Sequence, residues 1–259
     1  MRKIGAVLID LSGTIHIDNT VIPGAIQALN KLRATDVKIK FVTNTTKESK
    51  RILHDRLTCI GFTIDKDEIF TSLTAARQLV DKRALRPYML IAEAAREEFA
   101  GVSGQDPNSV LVGLAPECFD YEHMTTAMRI LLEGSPLIAI HKARYYKRSD
   151  GLAIGPGAFV TGLEYSTGCK AEVVGKPESS FFHTALQDLG VSAAEAVMIG
   201  DDARDDVCGA MTAGLRGILV KTGKYRAGDE DKVDPVPSFV ADDFPRAVDY
   251  LIENGLSLP

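Results

Sequence analysis

This sequence of 259 residues has few cysteines, no long apolar run and no excess of basic residues. The four cysteines, Cys59, Cys118, Cys169 and Cys208, form no Cys-x-x-Cys pair and no framework spacing, so we expect free thiols, a reducing compartment and a cytoplasmic location. No apolar run approaches the ~20 residues that span a bilayer. The short apolar run near the N-terminus ends in Asp10 instead of a small-residue cleavage site, so neither a membrane protein nor a secreted protein is expected.

The charge balance argues against one class of partner. The formal net charge is -5, from 30 basic and 35 acidic residues. Proteins that bind nucleic acid usually carry a basic excess that offsets the backbone phosphates, so no nucleic-acid partner is expected. Phosphorylated small molecules are not excluded, because they need only a local positive field. The hydrophobic share of 45% is enough for a buried core, in one large domain or two smaller ones.

Short apolar runs alternate with helical patterns along nearly the whole chain. Strands are predicted at 4–9, 37–42, 88–92, 109–113, 137–141, 171–174, 196–200 and 217–220. Helices are predicted near 23–34, 46–60, 72–83, 121–133, 157–167, 178–189, 204–214 and 243–254. Continuous apolar strands separated by helices indicate an α/β protein with a parallel sheet covered on both faces. The charged, proline-containing stretch 222–238 is predicted to be a surface loop.

Ligands bind open parallel sheets beyond the carboxyl ends of the strands, and polar residues follow four of the predicted strands. The first group is Asp10-Leu11-Ser12-Gly13-Thr14. A carboxylate at a strand end, followed by a turn with glycine, suits a nucleophile toward phosphorus or a ligand for a hard cation. The alternative is an aspartate that only closes the turn.

The second group is Thr43-Asn44-Thr45-Thr46. Thr45 and Glu48 have the spacing of a capping box, which predicts that a helix begins here. Free N–H groups and the dipole at a helix N-terminus attract anions, so a hydroxyl and an amide at this point could hold a phosphoryl oxygen. Simple capping is the alternative for Thr45.

The third and fourth groups carry opposite charges. Lys176, in Gly175-Lys176-Pro177, follows a predicted buried strand and could neutralise a carboxylate and a phosphate that would otherwise repel each other; a solvated lysine is the alternative. The segment 200–206 contains four aspartates in six residues, which suits Mg2+. A charged helix start is the alternative there, although it explains Asp201 poorly.

In this order, Asp-x-x-Gly-Thr, Thr-Asn, Gly-Lys-Pro and Gly-Asp-Asp-x-x-x-Asp resemble the four motifs of the haloacid dehalogenase superfamily of phosphohydrolases. The resemblance implies a Rossmann-like parallel-sheet core, a Mg2+ cofactor and a phosphohydrolase reaction through an aspartyl-phosphate. It implies that Asp10 is both the nucleophile and a Mg2+ ligand. It also implies that Ser12 binds Mg2+ through its backbone carbonyl, and that Leu11 and Ser12 contact the substrate.

The remaining roles that the resemblance implies belong to the other three groups. Thr43 and Asn44 would bind the transferring phosphoryl group, and Lys176 would bridge that group and the nucleophile. Asp201 would be a direct Mg2+ ligand. Asp206, with Asp205 as an alternative, would support the metal from outside its first coordination sphere. A small phosphorylated substrate and a homodimer are the partners that the family leads us to expect.

The spacing of the motifs predicts an inserted domain. Between Asn44 and Lys176 lie 131 residues, far more than a crossover needs, and they contain their own βα patterns. We therefore predict a catalytic core at 1–75 and 171–259 and a cap at 76–170. By resemblance this is an α/β cap of the C2 type.

Two features depart from the pattern of the family. Most of its phosphatases carry a second aspartate two residues after the nucleophile, as the acid for the leaving group, and here that residue is Ser12. Pyrophosphate and N-phosphorylated compounds need this acid least and are the expected substrates, ahead of simple esters. The cap segment 141–148 is unusually basic and would suit a substrate with a second anionic group, unless it is only a solvated loop. Alternative functions are a phosphate-binding regulatory protein with little turnover, and a phosphomutase.

Overall fold

The computed structural model describes residues 3–148 and 150–256. Its strands are β1 (Ala6–Ile9), β2 (His16–Ile17), β3 (Thr20–Val21), β4 (Lys38–Thr43), β5 (Ile69–Thr71), β6 (Pro87–Leu90), β7 (Ser109–Val112), β8 (Leu137–Ala139), β9 (Tyr145–Arg148), β10 (Gly151–Ile154), β11 (Glu172–Val173), β12 (Ala196–Gly200), β13 (Arg216–Val220) and β14 (Phe239–Ala241). Its α-helices are α1 (Ala25–Arg33), α2 (Lys50–Cys59), α3 (Ser72–Lys82), α4 (Tyr121–Leu132), α5 (Gly157–Thr167), α6 (Ser179–Gln187), α7 (Gly209–Thr212) and α8 (Phe244–Glu253).

The larger sheet has six parallel strands in the order β14-β13-β12-β1-β4-β5. All four residues of β1 and all five of β12 are buried, because helices cover both faces of the sheet. Apolar side chains of α1, α2 and α8 pack on one face. Those of α6 and α7 pack on the other. We call this unit the core.

The smaller sheet lies between β5 and β12 in the sequence and has the parallel order β11-β8-β7-β6. Helices α4 and α5 cover one of its faces, and α3 with the 3-10 turns at 93–99 covers the other. We call this unit, with the β9–β10 hairpin, the cap. The predicted α/β core with an inserted α/β cap is therefore the observed architecture.

The division into 1–75, 76–170 and 171–259 stays a prediction, and two observations favour slightly different boundaries. The strand predicted at 171–174 is β11, which pairs with β8 of the cap. Helix α3 packs on the cap sheet from its first turn, through Leu73, Ala76 and Val80. We therefore propose that the cap extends from about residue 72 to residue 174.

The capping-box prediction at Thr45 and Glu48 is wrong. Helix α2 begins at Lys50, and its N-cap is Ser49, whose hydroxyl accepts a hydrogen bond from the Ile52 backbone N–H. The Glu48 carboxylate instead forms an ion pair of 2.6 Å with Arg56. A nearby guanidinium offers this carboxylate a stronger partner than a backbone N–H does.

Several strands were not predicted. These are the two-residue strands β2 and β3, the three-residue strands β5 and β14, and the β9–β10 hairpin. The helix predicted at 204–214 is a π-helical turn at 203–208 followed by the four residues of α7. Within the described residues, no helix is long and apolar enough to cross a bilayer.

Candidate active site

The carboxyl ends of β1, β4 and β12 meet at one edge of the core sheet, and the predicted site residues converge there. Asp10 follows β1, Thr43 ends β4, and Asp201 follows β12. The segment between β11 and α6 brings Lys176 to the same place. All four of these residues are at least 94% buried, so their charges interact in a poorly solvated environment.

The Lys176 ammonium is the centre of the site. It lies 2.6 Å from Asp10 Oδ1 and 2.7 Å from Asp206 Oδ1, and it donates a hydrogen bond of 3.0 Å to the Val42 carbonyl. An ammonium has three donors, and all three are used. Burial alone would lower the pKa of Lys176, but attraction by Asp10 and Asp206 raises it above the usual value. The side chain is therefore a fixed positive charge beside Asp10.

Three buried carboxylates form an acidic cluster next to this lysine. One oxygen each from Asp10, Asp201 and Asp206 lies within 4.8 Å of the other two. Asp201 Oδ2 accepts the Lys224 backbone N–H at 2.7 Å, but its buried Oδ1 has no hydrogen-bond partner among the residues that the structure describes. Burial raises the pKa of Asp201 well above its usual value, and burial raises that of Asp206 to about 7 against the opposing charge of Lys176.

This donor set fits a divalent cation. A buried carboxylate oxygen without a partner is costly, and a hard cation bound to oxygen ligands relieves both that cost and the repulsion among the acids. Asp10, Asp201 and Asp206 can supply side-chain oxygens. Ser12, two residues after Asp10, lines a cavity together with Asp10 and Asp206 and offers its backbone carbonyl.

Two glycines make room for the Asp201 carboxylate. Gly13 and Gly223 have φ angles of +99° and +56°, which favour glycine over other residues. A Cβ atom on either one would collide with the Asp201 carboxylate. The Thr222 hydroxyl donates a hydrogen bond of 2.5 Å to the Gly13 carbonyl and so joins the two turns.

The four aspartates after β12 have different environments. Asp202 caps the π-helical turn, since its Oδ1 accepts the backbone N–H groups of Arg204 and Asp205 at 3.1 and 2.9 Å. Asp206 faces Lys176, and its Oδ2 accepts the Asp202 backbone N–H at 3.1 Å. Asp205 lines the cavity at its edge, and burial together with the charge of Asp202 raises its pKa to about 6. Only Asp201 and Asp206 of this group join the acidic cluster.

Asn44 has a different contact from the one expected. Its side chain exchanges two hydrogen bonds with the Lys176 backbone, donating to the carbonyl at 2.9 Å and accepting the N–H at 3.0 Å. The Thr43 hydroxyl accepts the Thr45 backbone N–H at 3.1 Å and lines the cavity. The Asn44 amide therefore positions Lys176, and its backbone N–H and the second hydrogen of Nδ2 are the donors that a phosphoryl oxygen could use.

Lys224 is a site residue that the sequence reasoning missed, since it lies in the stretch predicted to be a surface loop. Its ammonium lies 3.2 Å from Asp202 Oδ2, and its side chain is only 22% exposed. Burial alone would lower the pKa of Lys224, but the charges of Asp202 and Asp201 raise it well above the usual value. Lys224 lies four residues after the end of β13. Polar residues after this fifth strand were the sequence signal that could have identified it as a site residue.

Two buried histidines were also missed as site residues. His16, in the β2–β3 hairpin, forms a hydrogen bond of 2.9 Å to the Asp18 carbonyl through Nδ1, and within residues 3–148 and 150–256 its Nε2 has no partner. His141, after β8 of the cap, contacts the Thr46 hydroxyl through Nε2 at 3.3 Å. Burial lowers the pKa of His16 to about 4 and that of His141 to about 3, so both rings are neutral at pH 7.

A cavity of about 470 Å³ lies between the core and the cap, over Asp10 and Lys176. The cap contributes His141, Tyr145 and Tyr146 to its wall. The expectation that the basic charges of 141–148 overhang the site stays a prediction, and Arg144 supports it because it lines an adjoining pocket with Asp201 and Asp202. Lys142 pairs with Glu164 and Arg148 with Asp150, whereas the tyrosines of β9 face the cavity.

Comparisons with known proteins show which proteins this chain is similar to. A family model described as haloacid dehalogenase-like hydrolase matches residues 7–104, and a second, described as HAD-hydrolase-like, matches residues 173–247. The chain is 59% identical over 255 residues to haloacid dehalogenase-like hydrolase domain-containing protein 2 of Bos taurus, covering 98% of each chain. It is 40% identical over 259 residues to phospholysine phosphohistidine inorganic pyrophosphate phosphatase of Mus musculus, covering 98% of this chain and 96% of that protein.

A solved structure extends the likeness to the fold. The crystal structure of glycerol phosphate phosphatase from Mycobacterium tuberculosis in complex with magnesium has a TM-score of 0.83 and 26% sequence identity to this chain. The match covers 95% of this chain and 76% of that one. Core and cap are thus both included in the likeness.

Proposed function

The chain belongs to the haloacid dehalogenase-like hydrolases and is a phosphatase, and from this premise we propose that it hydrolyses small phosphorylated compounds with Asp10 as nucleophile and Mg2+ as cofactor. The observation that carries the proposal is the Lys176 ammonium, which lies 2.6 Å from the Asp10 carboxylate at the base of a cavity. A nucleophile of this kind must approach an anion, and a fixed positive charge lowers the cost of that approach.

We propose that Asp10, Asp201 and the Ser12 carbonyl hold the metal, with Asp206 supporting it. The unpartnered Asp201 Oδ1 and the repulsion among the three acids support this assignment. The magnesium complex of the glycerol phosphate phosphatase supports the choice of ion. Bound Mg2+ would neutralise charge on the phosphoryl oxygens and on the carboxylates around it.

The reaction has two steps. A carboxylate oxygen of Asp10 attacks phosphorus, the bond from phosphorus to the leaving group breaks, and an aspartyl-phosphate forms on Asp10. The positive charge of Lys176 attracts the phosphoryl oxygens, and the Thr43 hydroxyl and the backbone N–H groups of Leu11 and Asn44 donate hydrogen bonds to them. A water molecule then attacks phosphorus, the bond to Asp10 breaks and Asp10 regains its carboxylate. Hydrogen phosphate leaves with one proton of the water, and the other proton passes to solvent.

The substrate class follows from Ser12, which lies two residues after the nucleophile Asp10. Ser12 is a poor proton donor, so a leaving group that departs without a proton from the enzyme is favoured. Pyrophosphate and N-phosphorylated compounds meet this condition better than esters of ordinary alcohols. The name of the mouse relative, phospholysine phosphohistidine inorganic pyrophosphate phosphatase, supports the same class.

The alternative of a phosphate-binding regulatory protein with little turnover is not favoured. Binding alone does not need a carboxylate beside a buried lysine, and two of the three named relatives are phosphatases. The phosphomutase alternative needs a site where a phosphosugar is exchanged, and no observation supports one.

Phosphate release from pyrophosphate and a panel of phosphomonoesters, with and without Mg2+, tests the proposal. Asp10→Asn should lower the rate by at least about a thousandfold, because the nearly isosteric amide cannot act as the nucleophile. Asp36→Asn is the matched control, since Asp36 is exposed and precedes β4 at the opposite edge of the sheet. Turnover retained in Asp10→Asn, or a rate unchanged by removal of divalent metal, would contradict the mechanism.

A further inference from the structure

We propose that Lys47 and the ring of Tyr146 form a second anion-binding position in the cavity, which selects substrates whose leaving group carries its own negative charge. This inference deepens the proposed function and rests on it. It concerns the part of the substrate that points away from Asp10.

The geometry places this lysine between core and cap. Lys47 belongs to the core loop between β4 and α2, and Tyr146 to strand β9 of the cap; both line the same cavity as Asp10. The Lys47 Nζ atom lies 4.1 Å from the centroid of the Tyr146 ring. A ring face attracts a cation at this distance and holds the ammonium at the mouth of the cavity.

The charge of Lys47 is available to a ligand, in contrast to the other cations of the cavity wall. Lys176 is bound by Asp10 and Asp206, Lys224 by Asp202, and Arg56 by Glu48. Among the described residues, no carboxylate oxygen lies within 4.0 Å of Lys47 Nζ, the distance limit for an ion pair. Its partner is the Tyr146 ring, and a ring face does not neutralise the charge of an ammonium.

The surroundings of Lys47 fit an anionic group on a small leaving group. The cavity of about 470 Å³ has room for a phosphoryl group at Asp10 and a second group beyond it. Tyr145 and Leu114 line the cavity and carry no charge. Of the acidic residues that line it near Lys47, Glu48 is paired with Arg56, and Asp18 attracts the Lys47 ammonium. A second phosphate, as in pyrophosphate, or a carboxylate on an N-phosphorylated compound would meet Lys47. The leaving group of a simple neutral alcohol would gain nothing from it.

Binding in a variant without turnover tests this position. In Asp10→Asn protein with Mg2+, the affinities for pyrophosphate and for orthophosphate are measured by titration calorimetry. Adding Lys47→Met should weaken pyrophosphate binding about five- to tenfold and change orthophosphate binding by less than about twofold. Lys47→Arg keeps the charge and should restore most of the pyrophosphate affinity.

Lys50→Met is the matched control, because Lys50 lies three residues further on and does not line the cavity. It should leave both affinities unchanged. Equal losses for the two anions in Lys47→Met, or no loss for pyrophosphate, would overturn the proposal. If Asp10→Asn still hydrolysed pyrophosphate, the proposed mechanism would fail on its own, and the same comparison of Lys47 variants would be made with kcat/KM.

Discussion

Ser12 lies two residues after Asp10, where most phosphatases of the family carry an aspartate that protonates the leaving group. The serine is exposed to the cavity and keeps the backbone carbonyl that a metal would use. A positioned acid is typically worth ~10²–10⁴ in rate, or about 3–5 kcal/mol of barrier. Without one, the rate should depend strongly on how readily the leaving group departs.

His16 does not replace the missing acid in its observed state. Its Nδ1 is held by the Asp18 carbonyl, which can only accept, so Nδ1 carries the proton and Nε2 has none to give. Burial lowers the pKa of His16 to about 4, so the doubly protonated ring is rare at pH 7. His16 therefore does not donate the leaving-group proton that Ser12 cannot provide.

A substitution at this residue separates the two classes of substrate. Ser12→Asp should raise kcat/KM for phosphomonoesters by at least about tenfold and for pyrophosphate by much less, because an added acid lowers a barrier only where the leaving oxygen needs a proton. Steady-state kinetics on both substrates, at saturating Mg2+, measure the difference. Ser12→Asn is the control, since it has a similar size and cannot donate a carboxylic proton. An equal effect on both substrates would mean that Ser12 does not mark the missing acid.

At the level of strands and helices, the position of a residue after an apolar run carried most of the information. Asp10, Lys176 and Asp201 were predicted as site residues because each follows such a run, and the structure brings them together at one sheet edge. Lys224 was missed although it follows β13, because the charge and proline around it resemble a solvated loop. A local pattern cannot tell which loops turn back over a strand end.

The contact of Asn44 could not be predicted for a related reason. Its two hydrogen bonds reach the backbone of Lys176, 132 residues away, across the whole cap insertion. No periodicity or spacing encodes such a pairing, which depends on how the chain returns from the cap to the core. The apolar helices, by contrast, were predicted within a few residues because burial imposes a regular spacing on them.

Asn44 joins the end of β4 to the segment that carries Lys176, and this predicts a combined loss. Asn44→Ala should lower the free energy of unfolding by about 1–3 kcal/mol, because the Lys176 backbone N–H and carbonyl lose their partners. It should also lower kcat, since the ammonium would no longer be held against Asp10. Urea unfolding and phosphate-release kinetics measure the two effects. Asn254→Ala is the control, since Asn254 bonds only its own helix end at Tyr250; a stable variant with normal kcat would show that this bridge is not needed.

For the molecule as a whole, the acidic cluster suits a metal site but lowers the stability of the folded protein when no cation is bound. Asp10, Asp201 and Asp206 lie together in the buried seam beneath the cavity, and Lys176 and Lys224 balance only part of their charge. Burial raises the pKa of Asp201, so its folded carboxylate is unfavourable at pH 7 when no cation is bound. Proteins commonly accept such a cost at sites that bind a ligand.

Asp201→Asn should therefore change stability in opposite directions with and without metal. In EDTA at pH 7 the variant should be more stable than the wild type by about 1 kcal/mol, because the amide removes a buried charge and its oxygen can still accept the Lys224 N–H. A raised folded pKa means that the wild type loses this penalty as the pH falls, so the advantage should disappear below about pH 4. With Mg2+ at a hundred times its Kd, the wild type should gain about 2.7 kcal/mol and the variant almost nothing. Chemical unfolding in EDTA and in Mg2+, at pH 7 and pH 4, gives all four comparisons. A variant that is less stable than the wild type in EDTA, or one that Mg2+ stabilises as much as the wild type, would contradict the assignment of Asp201 as a metal ligand. A carboxylate ligand must repel the neighbouring carboxylates when the ion is absent, and its loss must reduce the stabilisation that the ion gives.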